Sequence, residues 1–188
     1  MEKCLFDNGF FEYLEIEEDI DIEGKIKHIK RKVVRRPPGI RALIVNDENR
    51  ILLSREFRYE LSTWDYRLPG GKVFDTLEEF RQALKDNTVD EAANKTVFKE
   101  VLEEVGIDIN NPKLIKISKD GASVIWDLYY YEIKDFKIDE NGPQLEEDEI
   151  INGYVWKSFD EVIELCQTGQ IHEDRSIGVL LSYILKNK

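Results

Sequence analysis

The segment KEVLEEVGI, residues 99–107, interleaves three glutamates with four aliphatic residues and a glycine. At 100° per residue, the apolar side chains of the predicted helix share an arc of about 140°, formed by Val97, Phe98, Val101, Leu102 and Val105. The carboxylates occupy the adjoining arc, within about 100° of one another, at Glu100, Glu103 and Glu104. The stretch therefore predicts a helix that buries one side and carries its acidic residues along the edge of the core.

The three glutamates admit two interpretations. One is a solvated acidic helix face, which is the common explanation for such a cluster. Against it, like charges at i and i+4 destabilise a helix, and the cluster lies near the helix C-terminus, where the dipole disfavours anions. The adjacent cation in the sequence is Lys99. A divalent cation held by the carboxylates would relieve both penalties, because hard oxygen ligands suit Mg²⁺.

The chain has 188 residues and a net charge of −12. Its length suits one domain with at most a small appendage. The negative charge argues against general DNA or RNA binding, although a bound divalent cation could still recruit phosphates. No apolar run approaches the roughly 18 residues of a membrane span, and the acidic N-terminus lacks the basic region of a secretory signal, so we expect a cytoplasmic protein. The two cysteines form no disulfide or zinc motif.

Hydrophobic patterning predicts several strands and two late helices. Alternation over residues 22–36 predicts a strand that begins after a turn at residues 23–24 and ends at the Pro-Pro-Gly of residues 37–39. The runs IRALIVND and ILLSREFR, joined by ENR, predict a β-hairpin. LIKISKDG and SVIWDLYYYEI predict a strand pair, YVWKSF a late strand, and FDEVIELCQTGQ and SIGVLLSYILKNK two closing helices. This mixture favours an α/β or α+β sandwich with a mixed sheet.

From residue 91 to residue 107 the sequence resembles the Nudix box, the motif of hydrolases that cleave a nucleoside diphosphate linked to another group. The box reads Gly, five residues, Glu, seven residues, Arg-Glu, an aliphatic, any residue, Glu-Glu, any residue, Gly, an aliphatic. Here Glu91 precedes seven residues and then KEVLEEVGI. Upstream, LPGGK at residues 68–72 matches the loop that commonly enters the box. A match at so many positions is much more specific than a glycine-rich loop alone.

The first departure from the box is Lys99, which occupies the position of an arginine. In the family that arginine orients a neighbouring glutamate. Lysine keeps the positive charge but loses the planar guanidinium, so the two residues are not equivalent at such a position. The three glutamates of the helix are all retained, as Glu100, Glu103 and Glu104.

The second departure is an insertion ahead of Glu91. Nineteen residues, 72–90, separate this glutamate from the glycine pair of LPGGK where the family has five, an excess of 14. The inserted TLEEFRQALKDN begins with a capping-box pair, Thr76 and Glu79, and predicts a short helix at about residues 75–88. Its apolar residues need a packing partner, either the domain or a second subunit. Its place after the LPGGK loop predicts that it lies beside the diphosphate, near the distal sugar.

Within the family, the pattern is most similar to ADP-ribose pyrophosphatases. REFRYELSTWDYRLPGG is similar to the strand that enters their site. EEDEIINGYVW and FDEVIELCQTGQI are similar to their C-terminal acidic loop, strand, helix and Gly-x-Ile turn. The likeness spans roughly residues 20–185. Arg67 stands where the subgroup has glutamate, Gly70 where it has alanine, and residues 121–123 lack its proline.

The resemblance implies a metal site and a set of catalytic residues. The implied metal ligands are oxygen donors from the entry loop and the helix: the Gly70 carbonyl and the carboxylates of Glu91, Glu100, Glu103 and Glu104. The implied catalytic residues are Glu103, Lys99 as the orienting cation, and a general base on the late acidic loop, either Glu147 or Glu149. The candidate substrate contacts are Arg58, Arg67 and Trp64. Surface exposure and core packing are the ordinary alternatives for arginines and tryptophans in such positions.

The implied activity is Mg²⁺-dependent hydrolysis, or hydrolysis with Mn²⁺, of ADP-ribose or another nucleotide sugar to a nucleoside monophosphate and a sugar phosphate. Two alternatives stay open: hydrolysis of nucleoside triphosphates or dinucleoside polyphosphates, and a non-catalytic ligand sensor. The implied fold is a Nudix-type α/β/α sandwich with a mixed sheet. By analogy we expect a homodimer, with residues 1–36 as a β-rich segment that contacts the partner and residues 37–188 as the hydrolase domain. We expect no nucleic-acid or membrane partner.

Overall fold

The computed structural model describes residues 1–119, 121–145 and 150–188, which form an α/β protein. The strands are β1 Glu2–Asp7, β2 Glu12–Ile22, β3 Lys25–Arg35, β4 Gly39–Ile44, β5 Arg50–Arg58, β6 Thr63–Arg67, β7 Ile107–Asn110, β8 Lys113–Ser118, β9 Val124–Ile125, β10 Leu128–Ile133, β11 Asp135–Ile138 and β12 Ile151–Ser158. The α-helices are α1 Leu77–Asp86, α2 Val89–Glu100, α3 Phe159–Gln167 and α4 Asp174–Asn187. A π-helical turn, Val101–Val105, continues directly from α2.

Two groups of strands form the centre of the fold. Strand β10 pairs in parallel with β4 and antiparallel with β8, while β5 lies between β12 and β6 in an antiparallel sheet. Successive residues of β4 and β10 point to opposite faces. Ile40 and Tyr129 pack in one buried cluster with Val97 of α2, whereas Leu43 and Tyr130 pack in another with α3 and α4. Helices therefore cover both faces, and the predicted α/β/α sandwich with a mixed sheet is confirmed.

The predicted hairpin between IRALIVND and ILLSREFR is wrong. Among the described residues, β4 and β5 share one isolated bridge, between Val45 and Ile51, and the two strands belong to different sheets. The local turn is present, because the Asn46 side chain accepts hydrogen bonds from the backbone N–H groups of Glu48 and Arg50. All six residues of β4 are buried. Burial on both faces is typical of a strand in a sheet that helices cover on each side, and not of a surface hairpin.

The N-terminal segment forms a separate small sheet. Strands β1, β2 and β3 pair antiparallel, and the predicted turn between β2 and β3 is present, with positive φ at Glu23 and Gly24. The buried core of this sheet is small and consists of Leu14, Ile16 and Val33. Strand β3 also pairs in parallel with β9. That short pairing joins the segment to the remainder of the fold, while its contact with a partner subunit stays a prediction.

Helix α1 is the extra helix expected from the insertion, and its capping box is present. The Thr76 hydroxyl accepts from the Glu79 N–H, and the Glu79 carboxylate accepts from the Thr76 N–H. The helix packs on the N-terminal sheet. There the Arg81 Nε donates to Oε2 of Glu12 at 3.0 Å, and Arg35 Nε donates to the other oxygen at 2.7 Å. Because the Glu12 side chain is 1% exposed, α1 completes a buried ion-pair network within its own chain.

The helix predicted over residues 97–105 changes its winding partway. After α2, the π turn closes with a hydrogen bond from the Gly106 N–H to the Val101 carbonyl, the i→i+5 spacing that defines a π-helix. Wider winding rotates the following side chains away from their positions on a regular α-helix. Val97, Val101 and Val105 are buried as predicted, but Phe98 and Leu102 are 38% and 41% exposed. The predicted apolar arc was therefore too wide.

Arg81→Met should destabilise the protein, because it leaves the buried Glu12 carboxylate with one of its two arginine partners. We expect the free energy of unfolding to fall by about 1–3 kcal/mol, as for a charged group that loses a hydrogen-bonding partner. Urea unfolding followed by tryptophan fluorescence measures the change. Lys85→Met, an exposed charge lost from the same helix, is the matched control and should shift stability by less than about 0.5 kcal/mol. Equal effects of the two changes would contradict the prediction.

Candidate functional site

A cavity of about 570 Å³ lies beside the C-terminal end of α2. Three glutamates from α2 and the π turn line it, and we call them the acidic set: Glu100, Glu103 and Glu104. Four arginines line the same cavity, and we call them the arginine set: Arg36, Arg41, Arg58 and Arg67. The lining also includes both glycines of the LPGGK loop and Trp126. Both signs of charge therefore meet in a space whose volume is typical of small-molecule sites.

Gly70 holds the entry loop against the acidic set. Its N–H donates to Oε2 of Glu104 at 2.7 Å, and its carbonyl oxygen accepts from Nη1 of Arg41 at 3.3 Å. Its φ is +147°, and a Cβ at this position would collide with the carbonyl of Ile40. Only glycine tolerates both this positive φ and the close approach of the Ile40 carbonyl. The Glu104 backbone is fixed as well, because its carbonyl accepts from the Tyr154 hydroxyl.

Glu100 lies against the second glycine of the loop. A Cβ on Gly71 would overlap the Glu100 carboxylate, so the absence of a side chain lets the carboxylate approach the backbone. The Gly71 carbonyl accepts from the Ile40 N–H at 2.9 Å, which ties the loop to β4. The glycine pair therefore has two separate purposes. Gly70 supplies the backbone geometry, and Gly71 supplies the space for a carboxylate.

Glu103 pairs with Lys99, four residues before it. Oε2 of Glu103 lies 3.4 Å from the Lys99 Nζ, and the two side chains are 42% and 61% exposed. Partial burial acts to lower the pKa of Lys99, but the Glu103 carboxylate outweighs it and the pKa is raised. The Glu103 carbonyl accepts from the Gln144 N–H at 2.6 Å. Lys99 therefore contacts a member of the acidic set, as an orienting cation would.

The donor atoms at the end of α2 fit a hard divalent cation by their chemistry. Carboxylates of Glu100 and Glu104 and the Gly70 carbonyl are the oxygen donors that Mg²⁺ and Mn²⁺ prefer. Across residues 1–119, 121–145 and 150–188, no three acidic, histidine or cysteine side chains are grouped closely enough to hold an ion as they stand. Glu104 is engaged by the Gly70 N–H and Glu103 by Lys99.

Glu173, just before α4, neutralises two members of the arginine set. Nε and Nη2 of Arg41 donate to its two oxygens at 3.0 and 2.9 Å, and Nη2 of Arg67 donates to it at 2.9 Å. Arg67 also donates to the fully buried Asp65 at 3.0 Å. Burial acts to raise the pKa of Glu173, but Arg41 and Arg67 outweigh it and lower the pKa to about 2. This network fixes Arg41 and, through it, the Gly70 carbonyl.

The predicted substrate contacts have different surroundings. Arg58 lines the cavity, but its guanidinium pairs with Glu60 at 2.8 Å. Arg67 lines it as well, within the network just described. Trp64 is not part of the cavity lining formed by the described residues. Its ring packs edge-on against Phe57, with a centroid distance of 5.6 Å. The two arginines therefore line the cavity, whereas Trp64 is in a packing position.

The remaining predicted residues lie away from the acidic set or outside the described residues. Glu91 is exposed in the first turn of α2, nine residues and about 13 Å along the helix from Glu100. The structure therefore does not bring it to the cavity. Glu147 and Glu149 lie outside the described residues. The cavity lining includes residues 72, 73 and 75 ahead of α1 but not α1 itself, so the expectation that this helix lies beside the diphosphate is not supported.

Sequence reasoning missed several residues of the cavity, among them Arg36, Arg41 and Trp126. For Arg41 a signal was available, because it interrupts the apolar run IRALIV and a charge within a buried strand requires a partner. Its partner, Glu173, is 132 residues away. No local pattern marks Arg36 and Trp126, which meet only in the folded chain, where the Arg36 Cζ lies 4.4 Å from the Trp126 ring centroid.

The fold and the cavity agree with a family comparison. A model of the NUDIX domain matches residues 35–177, and the chain belongs to this family. The prediction of a Nudix pyrophosphohydrolase is confirmed at this level. Members of the family act on small nucleotide substrates and generally use divalent cations. No helix among the described residues is both long enough and apolar enough to cross a membrane.

Individual relatives share little sequence identity with this chain. The chain is 23% identical over 149 residues to a methanol dehydrogenase activator of Bacillus methanolicus, a match covering 79% of this chain and 72% of that protein. It is also similar to the crystal structure of an ADP compounds hydrolase, with a TM-score of 0.63 and 16% sequence identity. That superposition covers 100% of this chain and 90% of the other. At such identities the structural likeness supports the fold.

Glu173→Gln should lower the free energy of unfolding at neutral pH and change how this free energy depends on pH. The folded-state pKa of Glu173 lies near 2, below its ordinary 4.5, so its ionised form stabilises the fold above about pH 4.5. This contribution is lost as the pH falls from 4.5 towards 2. We expect the variant to be about 1–3 kcal/mol less stable at pH 7 and the gap to narrow across that window. Urea unfolding at several pH values measures both, and parallel pH profiles would contradict this expectation.

Proposed function

We propose that the protein hydrolyses a nucleoside diphosphate linked to another group, with ADP-ribose or a similar nucleotide sugar as the substrate. The products are a nucleoside monophosphate and a sugar phosphate. The observation that carries this proposal is the meeting of the acidic set and the arginine set in one cavity. A diphosphate needs cations on both sides of its bridging oxygen. Arginines can provide one contact, and a divalent cation held by carboxylates can provide the other.

The acidic set is the proposed holder of Mg²⁺, or of Mn²⁺. When bound, such a cation neutralises phosphate charge and increases the acidity of water. Glu100 and Glu104 are the proposed ligands with the Gly70 carbonyl, because the loop and both carboxylates already adjoin one another. Glu103 is more exposed than Glu104, and we propose that it completes the ligand set or accepts a proton from the attacking water.

The preference for an ADP derivative rests on similarity. The entry strand, late acidic loop and closing Gly-Gln-Ile resemble the ADP-ribose subgroup, and the structural relative described above is an ADP compounds hydrolase. Glu147 and Glu149 stay candidates for the general base.

A cytoplasmic location and a homodimer are also part of the proposal. The homodimer is supported by the exposed apolar residues at the tip of the β2–β3 hairpin, where Ile22 is 50% and Ile26 is 70% exposed.

A panel of nucleotides tests the substrate. ADP-ribose, other nucleotide sugars, nucleoside triphosphates and dinucleoside polyphosphates are incubated with Mg²⁺ or Mn²⁺, and the products are separated by chromatography. We expect AMP and ribose 5-phosphate from ADP-ribose. Pyrophosphate released from triphosphates, with ADP-ribose left intact, would replace the substrate proposal with the first alternative. Binding of a nucleotide without any turnover would favour the ligand sensor.

Glu100→Gln should abolish most of the activity while the fold is retained. The change removes one negative charge at the proposed cation site and keeps the side-chain volume, so we expect kcat to fall by about 100-fold or more. Steady-state kinetics and circular dichroism of the same preparation measure activity and fold. Glu164→Gln, an exposed glutamate of α3, is the matched control and should leave kcat unchanged. Near-native turnover of a folded Glu100→Gln protein would refute the cation-site assignment.

A further inference from the structure

Arg36 differs from the other members of the arginine set in its charge balance. Arg41 and Arg67 share Glu173, and Arg58 pairs with Glu60. Within the described residues Arg36 forms no ion pair, and its buried Nε has no hydrogen-bond partner. The chain has 39 acidic residues against 27 lysines and arginines, so carboxylates are abundant. A cavity arginine left without one points to an anion that comes from outside the chain.

Two aromatic rings hold the Arg36 guanidinium without neutralising it. Its Cζ lies 4.8 Å from the ring centroid of Phe10 and 4.4 Å from that of Trp126. Such cation–π contacts fix the plane of a guanidinium, while its charge and its N–H donors stay available for a ligand. Phe10 belongs to the N-terminal segment, so this part of the chain helps to position one residue of the cavity lining.

A second guanidinium lies on the same tryptophan. The Cζ of Arg175 is 4.3 Å from the Trp126 ring centroid, and its Nη1 donates to the Trp126 carbonyl at 2.7 Å. Burial, followed by the nearby charges of Arg175 and Arg41, lowers the pKa of Arg36. The cluster therefore concentrates positive charge in a partly desolvated place. An anion bound there would relieve the repulsion among the three guanidinium groups.

We propose that Arg36 binds a phosphate of the substrate directly and without a metal ion. The inference rests on the proposed function, because it names a contact for the diphosphate in the same cavity. A guanidinium edge can donate two parallel hydrogen bonds to phosphate oxygens. At Arg58 and Arg67 a phosphate must compete with carboxylates that are already bound, whereas at Arg36 it neutralises an unpaired charge.

Binding measured without catalysis tests this role. AMP, ribose 5-phosphate and adenosine are titrated by calorimetry into the unaltered protein and into Arg36→Met, with EDTA present. We expect the Kd of a phosphate-bearing probe to rise by about 10- to 100-fold in the variant, as for the loss of a charged hydrogen-bonding partner, and the Kd of adenosine to stay unchanged. If only AMP binds more weakly to the variant, the contact is with the nucleotide phosphate. If only ribose 5-phosphate binds more weakly, the contact is with the sugar phosphate. Either result supports the proposal.

Arg55→Met is the matched control. Arg55 also stacks on a tryptophan, with its Cζ 4.8 Å from the Trp64 ring centroid, and it forms no ion pair within the described residues. It lies outside the cavity lining, so its loss should leave all three Kd values unchanged. Arg36→Lys keeps the charge without the planar fork and should weaken phosphate binding less than Arg36→Met. If Arg36→Met does not fold, Arg36→Lys alone should show weaker phosphate binding with unchanged adenosine binding.

Three results would overturn the inference: equal phosphate affinity in the unaltered and Arg36 variants, an equal loss of phosphate and adenosine binding, or phosphate binding to the unaltered protein only when metal is added. Its failure can be told apart from failure of the proposed function. If the unaltered protein hydrolyses ADP-ribose but Arg36→Met binds AMP as tightly as before, only the role of Arg36 is lost. If the unaltered protein hydrolyses no nucleotide of the panel, the proposed function is lost, whatever the binding data show.

Discussion

The two hydrogen bonds of Gly70 join the separate parts of the molecule that make the site. Its N–H donates to Glu104 in the π turn, and its carbonyl accepts from Arg41 in β4. Arg41 is held in turn by Glu173, beside α4. A single glycine residue therefore connects both helical layers through the central sheet. The acidic set and the arginine set share a cavity because this loop is held between them.

Glu173 explains how the fold tolerates arginines beneath that loop. Burying an unpaired charge is costly, whereas a bidentate ion pair with further hydrogen bonds offsets much of the cost. Arg41 and Arg67 are balanced in this way, whereas Arg36 forms no ion pair within the described residues. A substrate phosphate bound at Arg36 would supply the opposite charge that the chain itself does not place there.

Local patterns predicted the features that depend on neighbours in sequence. The capping box of Thr76 and Glu79, the turn at Glu23-Gly24 and the two closing helices are all present. The predicted hairpin of β4 and β5 is absent because each strand pairs elsewhere. Strand β4 pairs with β10, and β5 pairs with β12 and β6. The apolar arc failed at Phe98 and Leu102, which lie together at its edge and stay partly exposed. Both errors arise from packing, which no window of the sequence contains.

The sequence by itself determined the family and the spacing of Glu100, Glu103 and Glu104. These depend on a motif and on helical periodicity, which are local properties. The need for glycine at the entry loop follows from the close approach of Ile40 and Glu100 in the folded chain. The tertiary structure decided that Arg41 meets Glu173, 132 residues away, and that Trp126 meets both Arg36 and Arg175. It also decided that Glu91 lies far from the cavity. Such pairings follow from which buried charges and rings the packed sheet brings together, and chain order does not encode them.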